Sequence, residues 1–270
     1  VTNDKAVFEQ SATIKTWDQD YYHPVAERLY DGAIALMLRL LAVEEGGTVL
    51  DGGCGPGVHS IRVAHAGFQV HAIDLSNAML QEAGKRVALA GMTKRVIFSQ
   101  EDLTDLSFPD GTFNHVFSWG VIIHIPDVKR ALRELARIVA PGGTLALYIT
   151  NKTAWDHKLE WLVRFIIRKP NKGRRSLQYG SAVEYELHGE KLWVWQFDIP
   201  MVQKLLEANG LTITHRVIGE FSEIQRRVKG PIRFGLLHLN NFLFRLRFPA
   251  RFGVCNLLVF KKLNAPPGEV

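Results

Sequence analysis

Three aspartates and a cluster of glycines mark where this chain could do chemistry. The stretch Thr48-Val-Leu-Asp-Gly-Gly-Cys-Gly-Pro-Gly-Val-His-Ser60 carries a short apolar run into an acid, Asp51. A turn with glycines at 53, 55 and 57 follows. Residues without Cβ let a backbone approach a ligand closely, and strand, tight turn and helix in that order form the nucleotide end of an open α/β sheet. A dinucleotide fingerprint needs G-x-G-x-x-G; position 58 is Val, so a pyrophosphate cradle is not the first reading. Asp74 closes a second apolar alternation 23 residues after Asp51, where a carboxylate can accept two hydrogen bonds from ribose hydroxyls. Asp102 lies just past a third such run, which puts a side-chain acceptor and the backbone of Leu103 at the same end of the sheet.

The elements needed to hold these residues are readable in order. Apolar positions at helical spacing predict a helix over 25–41, after a polar, weakly periodic stretch that ends near Asp20. Strands are expected at 48–51, 68–74, 96–100, 113–119 and 144–150, with helices at 58–66, 77–90 and 127–139 between them. Ser76 can cap the second of these helices. Such alternation means a parallel sheet with helices on both faces. After Thr150 it lapses: helices are expected at 155–168 and 198–209, and last strands at 211–218 and 254–262. The 219–253 connection is too long to be a bare loop and should carry structure of its own.

The glycine loop with Asp51, Asp74 and Asp102 in register resembles motif I and the following acids of the class I S-adenosylmethionine (SAM) methyltransferases. Two further stretches add to the likeness. Phe117-Ser-Trp-Gly-Val-Ile-Ile-His-Ile-Pro-Asp127 is similar to the family's segment after its fourth strand, and the helix ending in Pro141-Gly-Gly143 to the approach to its fifth. The resemblance covers about residues 45–150 together with a terminal strand pair. It implies a doubly wound, Rossmann-like, mostly parallel sheet of seven strands in the order 3-2-1-4-5-7-6, with an antiparallel terminal hairpin and inserted substrate-binding segments. The organisation expected is an N-terminal lid and helix (1–44), a SAM-binding core (45–150), a variable substrate-binding cap (151–210) and a terminal strand pair (211–265) with the 219–253 insertion. The resemblance also implies SAM as cofactor, S-adenosyl-L-homocysteine as product and in-line displacement at the methyl carbon. No metal is required, and the His and Cys spacing suggests none.

The cofactor-binding residues implied are Asp51, Gly53, Gly55, Gly57, Asp74, Leu75, Asp102, Leu103 and Trp119. The leading candidate for a general base is His124, placed at the carboxyl-end rim of the sheet; the competing reading is that it packs and orients its loop. Tyr22 is a second catalytic candidate. Tyr21 and His23 are candidates for substrate contact, because family members often fold a lid over SAM there, and a plain core contact is the alternative. Trp155 and Trp193 could line an apolar acceptor cavity or a core equally well.

Composition separates the acceptor classes only in part. An apolar fraction of 47% with 22% charged residues is that of an ordinary globular protein. Two cysteines, no leader segment and no apolar run of spanning length lead to the expectation of a cytoplasmic protein. Residues 1–150 carry 13 Lys/Arg against 17 Asp/Glu, and residues 151–270 carry 20 against 10. That basic second half suits an anionic partner. The first expectation is an oxygen or nitrogen of a small-molecule metabolite. The second is a membrane-associated acceptor (a lipid, a prenylated quinone or a lipid-linked sugar), with peripheral membrane contact through the basic, amphipathic segments 155–175 and 234–251. RNA ranks lower, since no RNA-binding module is evident. A SAM-binding scaffold is the non-enzyme alternative. Oligomeric state is not legible.

Overall fold

Helix caps and buried stripes fix the elements where the sequence calls for them. The computed structural model describes residues 4–264 apart from 22–23, 167, 169–173 and 227. Helices α1 (Asp4–Phe8), α2 (Ser11–Tyr21) and α3 (Pro24–Leu41) lead to strand β1 (Thr48–Gly52). The chain then alternates through α4 (Val58–His65), β2 (Gln69–Asp74), α5 (Asn77–Leu89), β3 (Val96–Gln100), β4 (Phe113–Trp119), α6 (Val128–Ile138) and β5 (Val139–Thr150). Ser76 caps α5 by accepting from the Met79 amide at 3.1 Å, and Asp127 caps α6 through Arg130 N at 3.1 Å.

The second half holds α7 (Trp155–Ile166), β6 (Arg174–Leu177), β7 (Gly180–Leu187), β8 (Glu190–Phe197), α8 (Ile199–Glu207), β9 (Leu211–Ile218), α9 (Gly230–Arg245) and β10 (Cys255–Lys262). The main sheet runs β3-β2-β1-β4-β5-β10-β9. Counting its own seven strands in chain order, this is the expected 3-2-1-4-5-7-6. Strands β1 to β5 pair in parallel, and β10 is antiparallel to both β5 and β9. Apolar side chains fill both faces. On one side α6 and α8 bury Leu132, Leu135 and Leu206; on the other α3, α4 and α5 bury Met37, Leu41, Val63 and Val87. The 219–253 connection does carry a helix, α9, preceded by a short 3-10 turn at Ile224–Arg226.

Two features depart from the sequence reading. The polar stretch before Asp20 is helical, held by contacts made at a distance rather than by its own periodicity. The Glu9 carboxylate accepts from the amides of Asn77 and Ala78 at the start of α5 (3.1 and 3.2 Å), and Asp18 accepts from both terminal guanidinium nitrogens of Arg86 (2.9 and 2.8 Å). The second departure is a separate antiparallel sheet, β6-β7-β8, inside the segment expected only to be a cap. Its hairpin turns on His188 and Gly189, both at positive φ (53° and 83°), as a two-residue turn between right-twisted strands requires.

Candidate active site

The carboxyl ends of β1, β2 and β4 open onto a cavity of about 490 Å³ that extends to β5, the 220–226 turn and the start of β10. Asp51, at the end of β1, is 1% exposed and accepts from Ser60 Oγ at 2.6 Å. Burial pushes its carboxyl up to about 7; the Ser60 hydrogen bond works against this and the nearby Asp74 charge adds to it. Asp74 binds the glycine turn directly. Its Oδ2 accepts from Gly55 N at 2.8 Å and its Oδ1 from Ser76 N at 2.9 Å. Burial raises this carboxyl too, opposed by those two amides. Each carboxylate oxygen has a second lone pair, so Asp74 can still accept two hydroxyl donors. Asp102 uses Oδ1 for both the amide and the hydroxyl of Thr104, each at 2.8 Å, which leaves Oδ2 for a ligand.

The glycines divide the work. A Cβ on Gly53 (φ 86°) would lie 2.6 Å from Cγ2 of Val121, and one on Gly57 (φ 79°) 2.9 Å from Cβ of Ala83. Gly57 therefore seats α4 against α5 and does not line the cavity, whereas Gly53 and Gly55 do. Leu75, Leu103 and Trp119 line it as well.

Other expected residues fall elsewhere. Trp155 is 52% exposed and rests near Phe252, with ring centroids 6.1 Å apart, away from the cavity lining. Trp193 contributes its backbone instead of its ring: its carbonyl lies 2.8 Å from His124 Nδ1. Tyr22 and His23 lie outside the described residues, and of Tyr21 only the backbone at the end of α2 is described.

His124 lines the cavity in the Ile122–His124 turn after β4. A carbonyl can only accept, so Nδ1 carries the ring proton and Nε2 the lone pair. Burial pulls the imidazole down to about 4, against the upward effects of the Trp193 carbonyl and Glu223, so the ring is neutral at pH 7. It can take a proton, but only as a weak base.

The far end of the cavity has polar chemistry that the sequence reading did not single out. Tyr30 Oη donates to Glu220 Oε1 at 2.9 Å, and Arg226 Nη2 bonds Glu220 Oε2 at 2.7 Å. Arg226 also pairs with Glu223, whose Oε1 accepts from Cys255 Sγ at 3.6 Å. Burial raises Glu220; burial acts the same way on Glu223, but Arg226 outweighs it and leaves that carboxyl lowered. Glu220, Glu223 and Cys255 hold ligand-type atoms within 4.8 Å of one another. The Arg226 guanidinium pairs with both of these acids. Around them Trp119, Tyr148, Tyr30 and His59 form aromatic walls. The one signal available in sequence was the spacing Glu220-x-x-Glu223-x-x-Arg226, set directly after a strand.

Residues 49–143 match the family described as "Methyltransferase domain". The chain carries a class I SAM-dependent methyltransferase domain. SAM is the cofactor of this domain, and the free acceptor positions of Asp74 and Asp102 beside the glycine turn fit its ribose and adenine. One relative, "27-O-demethylrifamycin SV methyltransferase" of Amycolatopsis mediterranei, is 36% identical over 109 residues, 40% of each chain. The chain spans about half or less of the length of the curated relatives it matches. Among solved structures, magnesium protoporphyrin IX methyltransferase from Synechocystis PCC 6803, with bound S-adenosylhomocysteine, superposes with a TM-score of 0.62 at 18% identity, covering 96% of this chain and 97% of that one. The [4+2]-cyclase SpnF superposes at 0.58 with 21% identity over 87% and 81%. At such identities the two structures establish the fold of the methyltransferase domain and nothing finer.

Proposed function

We propose that this protein transfers the methyl group of SAM to an oxygen or nitrogen of a small-molecule acceptor by in-line displacement. The observation that carries this reading is the position of Asp74, which closes β2, holds the glycine turn by its Gly55 amide and faces the same cavity as Asp51 and Asp102. SAM supplies a methyl group already activated by a sulfonium sulfur. The chain's own residues then have to bind, orient and exclude water. In this reading Asp51 meets the methionine ammonium, Asp74 and Leu75 the ribose, and Asp102 and Leu103 the adenine. Trp119, stacked on Tyr148, walls the cavity between the cofactor end and the Glu220–Arg226 end.

Transfer forms a bond from the methyl carbon to the acceptor atom, breaks the carbon–sulfur bond and releases the acceptor's proton. His124 Nε2 is the candidate receiver of that proton, and the Glu223 carboxylate is a second candidate at the cavity wall. Holding acceptor and methyl donor in line contributes several kcal/mol, on the order of the effect measured for well-oriented intramolecular reactions. A relative named for methylating a demethylated rifamycin supports a small-molecule acceptor. A membrane-associated acceptor is the second reading, favoured by the apolar side chains that α7 and α9 leave exposed.

Incubation with methyl-labelled SAM and fractionated cell extract tests the proposal. Label should enter the small aqueous fraction. Label in the organic phase selects the membrane-associated acceptor, and transfer to no fraction by a SAM-binding protein contradicts methyl transfer.

A further inference from the structure

Helices α7 and α9 each turn an apolar stripe outward. On α7, Trp155, Leu159, Leu162 and Ile166 follow one another at spacings of 4, 3 and 4 residues and are 52%, 46%, 46% and 68% exposed. Beside them Trp161 and Phe165 stack on each other at 5.7 Å, also exposed. On α9, Ile232, Leu239, Phe242 and Leu246 lie on the face opposite the buried Leu237, Asn240 and Phe244. Residue Leu246 closes that helix as its cap. Solvated helices put such stripes against a core; here no part of the described chain covers them.

The two stripes are joined. The Trp155 ring meets Phe252, which meets Phe248 just beyond α9. Asn151 and Thr153, ahead of α7, both donate to the Arg251 carbonyl.

Charge identifies the occupant. Segment 155–175 has seven Lys/Arg against two acids, and segment 229–251 has five and no acid. Lys158, Arg168 and Arg175 are exposed around the first stripe, and Lys229, Arg245, Arg247 and Arg251 around the second. A second copy of this chain would bring like charges together, whereas an anionic bilayer satisfies both the cations and the apolar side chains. We infer that α7 and α9 form a docking surface for a membrane containing anionic lipid. The surface borders the cavity: Asp156 of α7 accepts from the Glu223 amide at 2.6 Å, and Asn240 of α9 accepts from the amides of Phe221 and Ser222 at 3.1 and 3.0 Å. Docking would thus bring the 221–226 side of the cavity to the headgroup layer. Nothing in this inference depends on methyl transfer.

Co-sedimentation of the full chain with vesicles of phosphatidylcholine alone, or with about a third phosphatidylglycerol, tests it. The protein should pellet with the anionic vesicles, with at least tenfold lower partitioning onto neutral ones. The double variant Leu162→Glu/Phe242→Glu, whose sites lie outside the cavity, should lose at least tenfold in partitioning while its circular dichroism and SAM titration stay unchanged. Equal pelleting on both vesicle types, no pelleting at 0.1 M salt, or a dimer in sedimentation velocity that the double variant dissociates would each overturn the inference. A wild-type protein that binds vesicles but not SAM would leave docking standing and remove the methyl-transfer reading.

Discussion

The indole of Trp119 lies flat on the phenol ring of Tyr148, with ring centroids 3.9 Å apart and planes 6° from parallel. The stack joins β4 and β5 at the cavity wall, and the Tyr148 hydroxyl is buried without a hydrogen-bond partner among the described residues. An unsatisfied buried hydroxyl costs about 1–3 kcal/mol. Tyr148→Phe should therefore raise stability by about 1 kcal/mol in chemical denaturation while keeping the stack. A hydroxyl that meets the acceptor gives a second result in the same variant, a fall in turnover with SAM affinity unchanged. Lower stability would show that the hydroxyl has a partner in solution.

If Asp51 meets the ammonium of SAM as proposed, cofactor binding depends on protons. The Asp51 carboxyl, lifted by burial to about 7, is largely protonated at pH 6. A ligand ammonium beside it favours the ionised form, so binding at pH 6 should release about one proton. Calorimetric titrations in two buffers of different ionisation enthalpy count it. Asp51→Asn should release about one proton fewer; an unchanged count would place the ammonium elsewhere.

His124 should give the fold an acid-sensitive window. Its folded value of about 4 lies below the unfolded value near 6.5, so the unfolded chain binds the extra proton between these pH values. Stability from this group is full above pH 6.5 and falls as pH drops toward 4, by on the order of 3 kcal/mol across the window. His124→Asn should flatten that part of the stability–pH curve relative to wild type. Turnover reads the other role: a loss confined to turnover marks a base, and a loss matching the stability change marks a residue that orients its loop.

Much of this site was legible because it depends on local order. Asp51, Gly53, Asp74 and Asp102 each sit where one strand gives way to its turn, and a strand followed by a glycine turn fixes such positions within a few residues of sequence. The Glu220–Arg226 cluster depends on long-range contact. Tyr30, Glu220 and Cys255 come from a helix, a turn and a strand far apart in the chain, and nothing local to any of them signals the others. The β6-β7-β8 sheet was missed because its hairpin signal, His188-Gly189, sits between strands of mixed charge and aromatics that lack clean alternation. The N-terminal helices were missed because Glu9 and Asp18 gain their partners only after α5 has formed.

Arg226 pairs with both Glu220, which is 1% exposed, and Glu223. Its removal leaves Glu220 and Glu223 without the cation they share. Arg226→Ala should cost about 3 kcal/mol of stability in urea, as uncompensated buried charges do. Adding Glu220→Gln should restore a good part of it. A loss below about 1 kcal/mol would mean that the cluster is hydrated and acts as an exposed pair.

The central claim is that the cavity at the ends of β1 and β2 holds SAM through Asp74. Calorimetric titration of SAM into wild type and Asp74→Ala tests it most directly. The account predicts saturable one-to-one binding by wild type and at least tenfold weaker binding by the variant, a loss of about 1.4 kcal/mol or more. Equal affinity of the two proteins, or no binding by wild type, would contradict it.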